Sequence, residues 1–208
     1  MFGGNFQTWK LHSAQDYFMF FAYILAGVLV FWLIAKHMNK QRNHEKAVEK
    51  VSARLKKICG KPGEVLKNAT LNLPEGKMTF DAVLMDKRGV YLVRTYGWGI
   101  KIYGTPDGAM WRREDAKRKE EFENPLLELK KGAAEITKLM EENGVQNLKV
   151  MPMVVFADNF QTPELYLGYG SFSTTYQELK NWYKKQSGVK EVQYDYDKVS
   201  SIIKELAK

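Results

Sequence analysis

Met78-Thr-Phe-Asp-Ala-Val-Leu-Met-Asp86, then Lys87-Arg-Gly89, then Val90-Tyr-Leu-Val-Arg-Thr-Tyr96 is the stretch that decides the fold. Successive side chains of a strand point to opposite faces. Met78, Phe80, Ala82 and Leu84 are therefore expected on one face, with Thr79, Asp81, Val83 and Met85 on the other. Lys87-Arg-Gly89 reads as a tight turn, and the second run splits into Val90, Leu92, Arg94 and Tyr96 against Tyr91, Val93 and Thr95. The prediction is an antiparallel hairpin with Asp81 in mid-strand and Arg94 and Tyr96 on its partner. Aspartate is depleted in strands, so Asp81 needs a reason, and the plainest is an ion pair with Arg94.

Outward from the hairpin, Val48, Val51, Leu55 and Ile58 recur at helical spacing and predict an amphipathic helix from about His44 to Ile58, stopped by Gly60-Lys-Pro-Gly63. Neither Pro nor Gly interrupts Lys36 to Cys59, so that helix is expected to continue from the segment before it as a stiff stalk. Glu64–Leu73 reads as a further strand. Gly99–Tyr103 and Ala109–Arg113 flank the turn sequence Thr105-Pro-Asp-Gly108 and extend the meander. Trp111 to Glu123 mixes charges of both signs and is expected to be a solvated loop. Asn124-Pro125 opens a helix reaching about Glu142, because proline suits a first turn. Val150–Ala157 is apolar enough for an internal strand. A β-like piece near Leu165–Leu167, a helix beginning near Ser173 or Thr174 and a last helix from about Asp197 complete the chain.

The 208 residues, 45% hydrophobic and 13% aromatic, exclude a disordered chain and suit one globular domain with an addition. The single cysteine, Cys59, excludes an internal disulfide or a cysteine-rich zinc site. The addition is Tyr17 to Ala35, nineteen uncharged residues that span ~28 Å as a helix at ~1.5 Å per residue, enough to cross a bilayer. Basic residues follow this stretch, whereas in a cleaved signal peptide they would precede it. Lys36, Lys40 and Arg42 therefore mark a cytoplasmic flank, with anionic lipid headgroups as candidate contacts. The predicted order is an extracytoplasmic 1–16, a single-pass membrane anchor 17–35, a basic juxtamembrane segment 36–43 and a cytosolic domain 44–208. Of the net charge of +8, +7 falls within Lys36–Lys61, so the rest of the domain is nearly neutral. That balance does not favour nucleic acid, whose binding rests largely on neutralising phosphates.

His12, His37 and His44 are the only histidines, and on this reading all precede the folded domain. Ser-His-Asp and Cys-His nucleophilic systems and His-containing zinc sites are excluded accordingly, since each needs an imidazole. Neither a phosphate loop nor a dinucleotide loop has its glycines in place. Carboxylate chemistry around Asp81 is what remains, and one aspartate does not hold Mg²⁺ firmly enough to cleave a phosphodiester.

Taken in order, the amphipathic helix, Phe80-Asp81-Ala-Val83, Gly89 to Tyr96, Gly97-Trp-Gly-Ile-Lys-Ile-Tyr-Gly104, Trp111, Asn124-Pro-Leu126 and Val154-Val-Phe156 are similar to the nuclease-related domain, NERD. The likeness covers roughly residues 44–208. It implies a restriction-endonuclease-like core of the PD-(D/E)XK architecture, an α/β fold with a mixed β-sheet flanked by helices, here preceded by a single transmembrane helix. It further implies a metal ligand at Asp81, then Glu-x-Lys on the next strand, the glutamate a second ligand and the lysine beside the attacking water. This chain has Arg94 and Tyr96 at those two positions, and Glu128 where the family usually has glutamine. A first-helix glutamate of the family matches Glu45 or Glu49.

Arg94 brings a fixed positive charge to the place of a metal-binding carboxylate. Asp81 then reads as a vestigial ligand, and the leading expectation is a catalytically degenerate nuclease fold, a pseudoenzyme, that binds or scaffolds something at the membrane. Two alternatives stand beside it. One is a Mg²⁺- or Mn²⁺-dependent nuclease with a rearranged site of Asp81, Glu128 and a first-helix glutamate. The other is a protein-interaction subunit of a membrane complex with no nucleic-acid role.

Overall fold

The computed structural model describes residues 14–41, 43–158, 161–186 and 194–208. Most of the expected extracytoplasmic segment, together with Arg42, lies outside them. The chain forms two units, divided between Lys40 and Gln41.

The first unit holds α1 (Ala14–Gln41) up to Lys40, and the most apolar eighteen-residue window between Ala14 and Lys36 has a mean hydropathy of 2.5 and contains no buried residue. A backbone without internal partners is not tolerated in lipid, and a helix of this length and composition pairs the N–H and C=O groups between its terminal turns while presenting apolar side chains. It is long and apolar enough to cross a membrane. Lys36 sets its ammonium 4.6 Å from the Trp32 ring centroid, a cation and an aromatic one helical turn apart.

The second unit begins with a correction. The uninterrupted helix expected from Lys36 to Cys59 is not formed: α1 stops at Gln41, and Asn43, in extended conformation, caps a new helix, α2 (His44–Cys59). The Asn43 side chain accepts the Glu45 N–H at 2.9 Å. Asparagine competes for backbone donors in this way and so starts helices better than it continues them.

After α2 come β1 (Glu64–Leu73), β2 (Gly76–Asp86) and β3 (Gly89–Tyr96), three consecutive antiparallel strands. The chain then leaves the sheet to build β4 (Lys101–Gly104), β5 (Met110–Glu114), β6 (Lys119–Glu123) and α3 (Pro125–Glu142). It returns with β7 (Val150–Phe156) parallel to β3. The strands β8 (Glu164–Leu167) and β9 (Ser173–Thr175), then α4 (Leu179–Gln186) and α5 (Tyr196–Leu206), finish the fold. The main sheet runs β1-β2-β3-β7-β9, and a second sheet runs β6-β5-β4-β8. Gly89 makes the return of β7 feasible. Its φ is +142°, and a Cβ there would sit 2.2 Å from the Lys149 carbonyl oxygen, the acceptor for the Val90 N–H at 2.9 Å.

Two cores form, one on each face of the main sheet. Leu71, Phe80, Met85, Leu92, Val154 and Phe156 pack with Leu126, Leu129, Ile136 and Met140 of α3 and Val199 and Ile203 of α5. Leu84, Tyr91, Val93, Met153 and Val155 pack with Ala47, Val51 and Leu55 of α2 and Leu179 and Tyr183 of α4. The four apolar side chains of α3, all fully buried, contribute roughly 6–12 kcal/mol of transfer free energy. This exceeds what helix propensity alone supplies, so packing holds α3 in place.

Two further expectations are corrected here. Residues 119–123 form a strand rather than a loop, because the mixed charges fall opposite one another across the β5–β6 pair. Arg112 faces Glu121, Arg113 faces Glu120 and Glu114 faces Lys119, with Arg113 Nη2 3.0 Å from Glu120 Oε1. Cross-strand opposite charges stabilise such pairs, and Phe122 packs beside Trp111. Residues 173–175 are likewise a strand, whose β-branched threonines suit the sheet beside β7, and the helix starts only at Leu179.

A buried carboxylate held by Arg94

Regular pairing of β2 with β3 stops at Ala82 opposite Val93. At the next position the side chain of Asp81 takes over from the ladder, accepting the Thr95 N–H on Oδ2 at 2.6 Å. On the other flank the β1–β2 register omits Asn68, which has φ +49°, so the ladder breaks on both sides of Asp81. Bulge-like breaks of this kind re-aim side chains and are frequent beside functional sites. The expected alternation fails at this point: Phe80 packs in the same core as Val83 and Met85, whereas Ala82 and Leu84 belong to the other. Asp81 itself is 5% exposed.

Arg94 lies beside it, as the hairpin predicted. Its Nη1 is 3.8 Å from Asp81 Oδ1 and its Nη2 donates to Glu128 Oε2 at 2.7 Å. Glu128 comes from the first turn of α3, whose start is fixed by Asn124. That side chain accepts the Leu126 N–H at 3.0 Å and donates to the Gly108 and Pro106 carbonyls at 2.7 and 3.1 Å. The Asn-Pro-Leu signature therefore welds α3 to the turn between β4 and β5, and its consequence at the site is the position of Glu128.

His44 corrects the reading that every histidine precedes the domain. Its Nε2 is 3.3 Å from Asp81 Oδ1, an ion pair when the ring is protonated. Helical spacing carried the signal that this reading missed, since His44 continues the stripe of Ala47, Val48, Val51 and Leu55 by one turn. Glu45 and Glu49 are exposed on α2. Among the described residues, no three His, Cys, Asp or Glu side chains gather closely enough to hold a metal ion.

Tyr96 stacks on Phe156, with ring centroids 5.5 Å apart, and also packs against Phe122 at 4.9 Å. Burial above all pushes its phenol up to about 12; Asp81 and Glu128 add to this while Arg94 and Arg113 oppose it. A group that is harder to ionise in the folded chain than in the unfolded one withdraws stability as pH rises past its ordinary value of 10 and through about 12. A series of urea midpoints across that window is expected to fall for the native chain and to fall less for Tyr96→Phe. Equal declines would mean that Tyr96 does not ionise under strain.

The domain is thus a mixed α/β fold of two mixed sheets flanked by helices, an architecture consistent with a restriction-endonuclease-like domain. The family model for the nuclease-related domain, NERD, matches residues 40–157, and the chain belongs to that family. It is also similar to an uncharacterized protein of Bacillus anthracis, 31% identical over 142 residues that make up 66% of this chain and 64% of that protein. The chain thus spans somewhat less than two thirds of that relative's length. No solved structure matches it significantly.

Proposed function

We propose that this protein is a membrane-tethered, catalytically degenerate nuclease-related domain, retained for binding or scaffolding at the cytoplasmic face. The observation that carries the reading is the seat of Arg94. Its guanidinium reaches Asp81 at 3.8 Å and Glu128 at 2.7 Å, the two carboxylates that the alternative of a rearranged nuclease needs for its metal. A divalent cation wants oxygen ligands, and a neighbouring fixed cation repels it, so these residues do not fit Mg²⁺ or Mn²⁺. Tyr96, a neutral phenol in an aromatic stack, supplies no charge in the lysine's place. The basic run after the anchor supports the cytoplasmic orientation and contact with anionic headgroups, with Lys36 described at the end of the apolar stretch. The near balance of charge after Lys61 supports a protein partner over nucleic acid.

The test is incubation of the purified full-length chain with single- and double-stranded DNA and RNA in Mg²⁺ or Mn²⁺, beside an Asp81→Ala control, with Mn²⁺ titrated by calorimetry. The expected result is no cleavage above the control and no heat of metal binding. Cleavage abolished by Asp81→Ala would overturn the proposal in favour of the rearranged nuclease.

A further inference from the structure

A second concavity of this unit is lined by none of the residues of the Asp81 site. It is a cleft of about 760 Å³ between α2 and α4, lined by six basic side chains, Lys50, Arg54, Lys57, Arg88, Lys180 and Lys184. Among the described residues that line it there is no Asp or Glu. Clefts of roughly 300–1,000 Å³ are the size that small ligands occupy, and one lined by a single sign of charge focuses its field on an oppositely charged guest.

The two guanidinium groups are held in place before any ligand arrives. Arg54 lies 4.6 Å from the Tyr176 ring centroid and donates to the Gln177 carbonyl at 3.2 Å. Arg88 lies 4.2 Å from the Tyr183 ring centroid and donates to the Tyr183 carbonyl at 3.1 Å. Tyr183 is fixed in turn by its hydroxyl, which donates to the buried carboxylate of Asp86, while the Arg88 N–H donates to the other Asp86 oxygen at 2.9 Å. Each arginine uses only part of its five-donor fork in these contacts, so donors remain for an anion. A planar, stacked guanidinium matches phosphate oxygens in pairs and loses little entropy on binding, and the lysines add point charges around it.

We infer that this cleft binds a ligand carrying two or more phosphate groups, with Arg54 and Arg88 as the fixed contacts and Lys57 and Lys180 as the flanking charges. The phosphates come from a free polyphosphate such as a nucleoside triphosphate or from an anionic phospholipid headgroup. Both present the same chemistry to the cleft.

The experiment uses the full-length chain in nanodiscs of phosphatidylcholine alone, titrated calorimetrically with inorganic tripolyphosphate and with adenosine triphosphate. A second preparation in phosphatidylcholine with cardiolipin, whose headgroup carries two phosphates, is followed by hydrogen exchange over residues 50–58 and 176–184. For a free ligand, binding is expected in neutral discs, weakening as salt rises and by about tenfold or more in Arg54→Gln, since it loses a charged hydrogen bond. For a headgroup, protection of those segments is expected only in the cardiolipin discs and is lost in the same variant. Arg88→Gln also removes a contact to α4, so the pair Lys57→Gln/Lys180→Gln provides an independent reading without disturbing it. Absence of both signals overturns the inference. So does binding that survives both Arg54→Gln and the lysine pair, or binding of a DNA duplex with none of tripolyphosphate.

Discussion

Replacing Asp81 by alanine is expected to lower the stability of the second unit by about 3 kcal/mol, read as a shift in the urea midpoint of the full-length chain in detergent. Three partners lose by it. The Thr95 N–H is left in the interior with no acceptor, the Arg94 guanidinium keeps only the half-exposed Glu128, and His44 loses the carboxylate 3.3 Å away. The figure sits at the low end for breaking a buried ion pair because Glu128 still holds Arg94. Asp81→Asn keeps an oxygen for the Thr95 N–H while removing the charge, and is expected to cost about 1 kcal/mol. A loss below about 1 kcal/mol for the alanine variant would show that the carboxylate contributes nothing to holding the hairpin edge together.

Arg94→Glu is expected to have the other large effect, and of a different sort. Without divalent ions it sets a third carboxylate beside Asp81 and Glu128 and removes their common partner, at a cost of about 4 kcal/mol from repulsion and lost pairing. Added Mn²⁺ is then expected to restore much of the loss, because a cation that binds only the folded form stabilises it by about 2.7 kcal/mol at a hundred times its dissociation constant. The native chain is expected to melt at the same temperature with and without Mn²⁺. The measurement is therefore a pair of melting curves for each protein, and Mn²⁺ raising both alike would contradict the role given to Arg94.

How far the sequence alone led can be judged at individual residues. The hairpin of β2 and β3, the place of Arg94 beside Asp81 and the long apolar helix α1 were legible because each rests on a local period, of two residues in the strands or an unbroken apolar run in α1. The position of Phe80 was not, since the break at Asn68 and Asp81 shifts the pleat by one residue, and the low strand preference of Asn and Asp marks the place without giving the shift. The strand at residues 119–123 was hidden by its charges. It reads as polar until the facing strand supplies the opposite sign at each step. Arg94 was expected to meet Asp81, but its stronger contact with Glu128 depends on α3 returning after the second sheet, a long-range event that spacing does not encode. His44 was missed because a helix start was treated as the outside of the domain, when its ring lies 3.3 Å from Asp81. The basic cleft was beyond reach for the same reason, joining residues 54 and 88 to residue 180 across three elements.

The guanidinium at the centre of the site can also be regarded as a counter-ion that is covalently owned. A dissolved metal neutralises carboxylates only while its concentration exceeds its dissociation constant, so a fold that depends on it responds to chelators and to shortage. Arg94 reaches the same two carboxylates from a neighbouring strand, at a local concentration set by the backbone and not by the surroundings. On the proposed reading, the integrity of the fold around Asp81 and Glu128 would then be indifferent to the supply of metal.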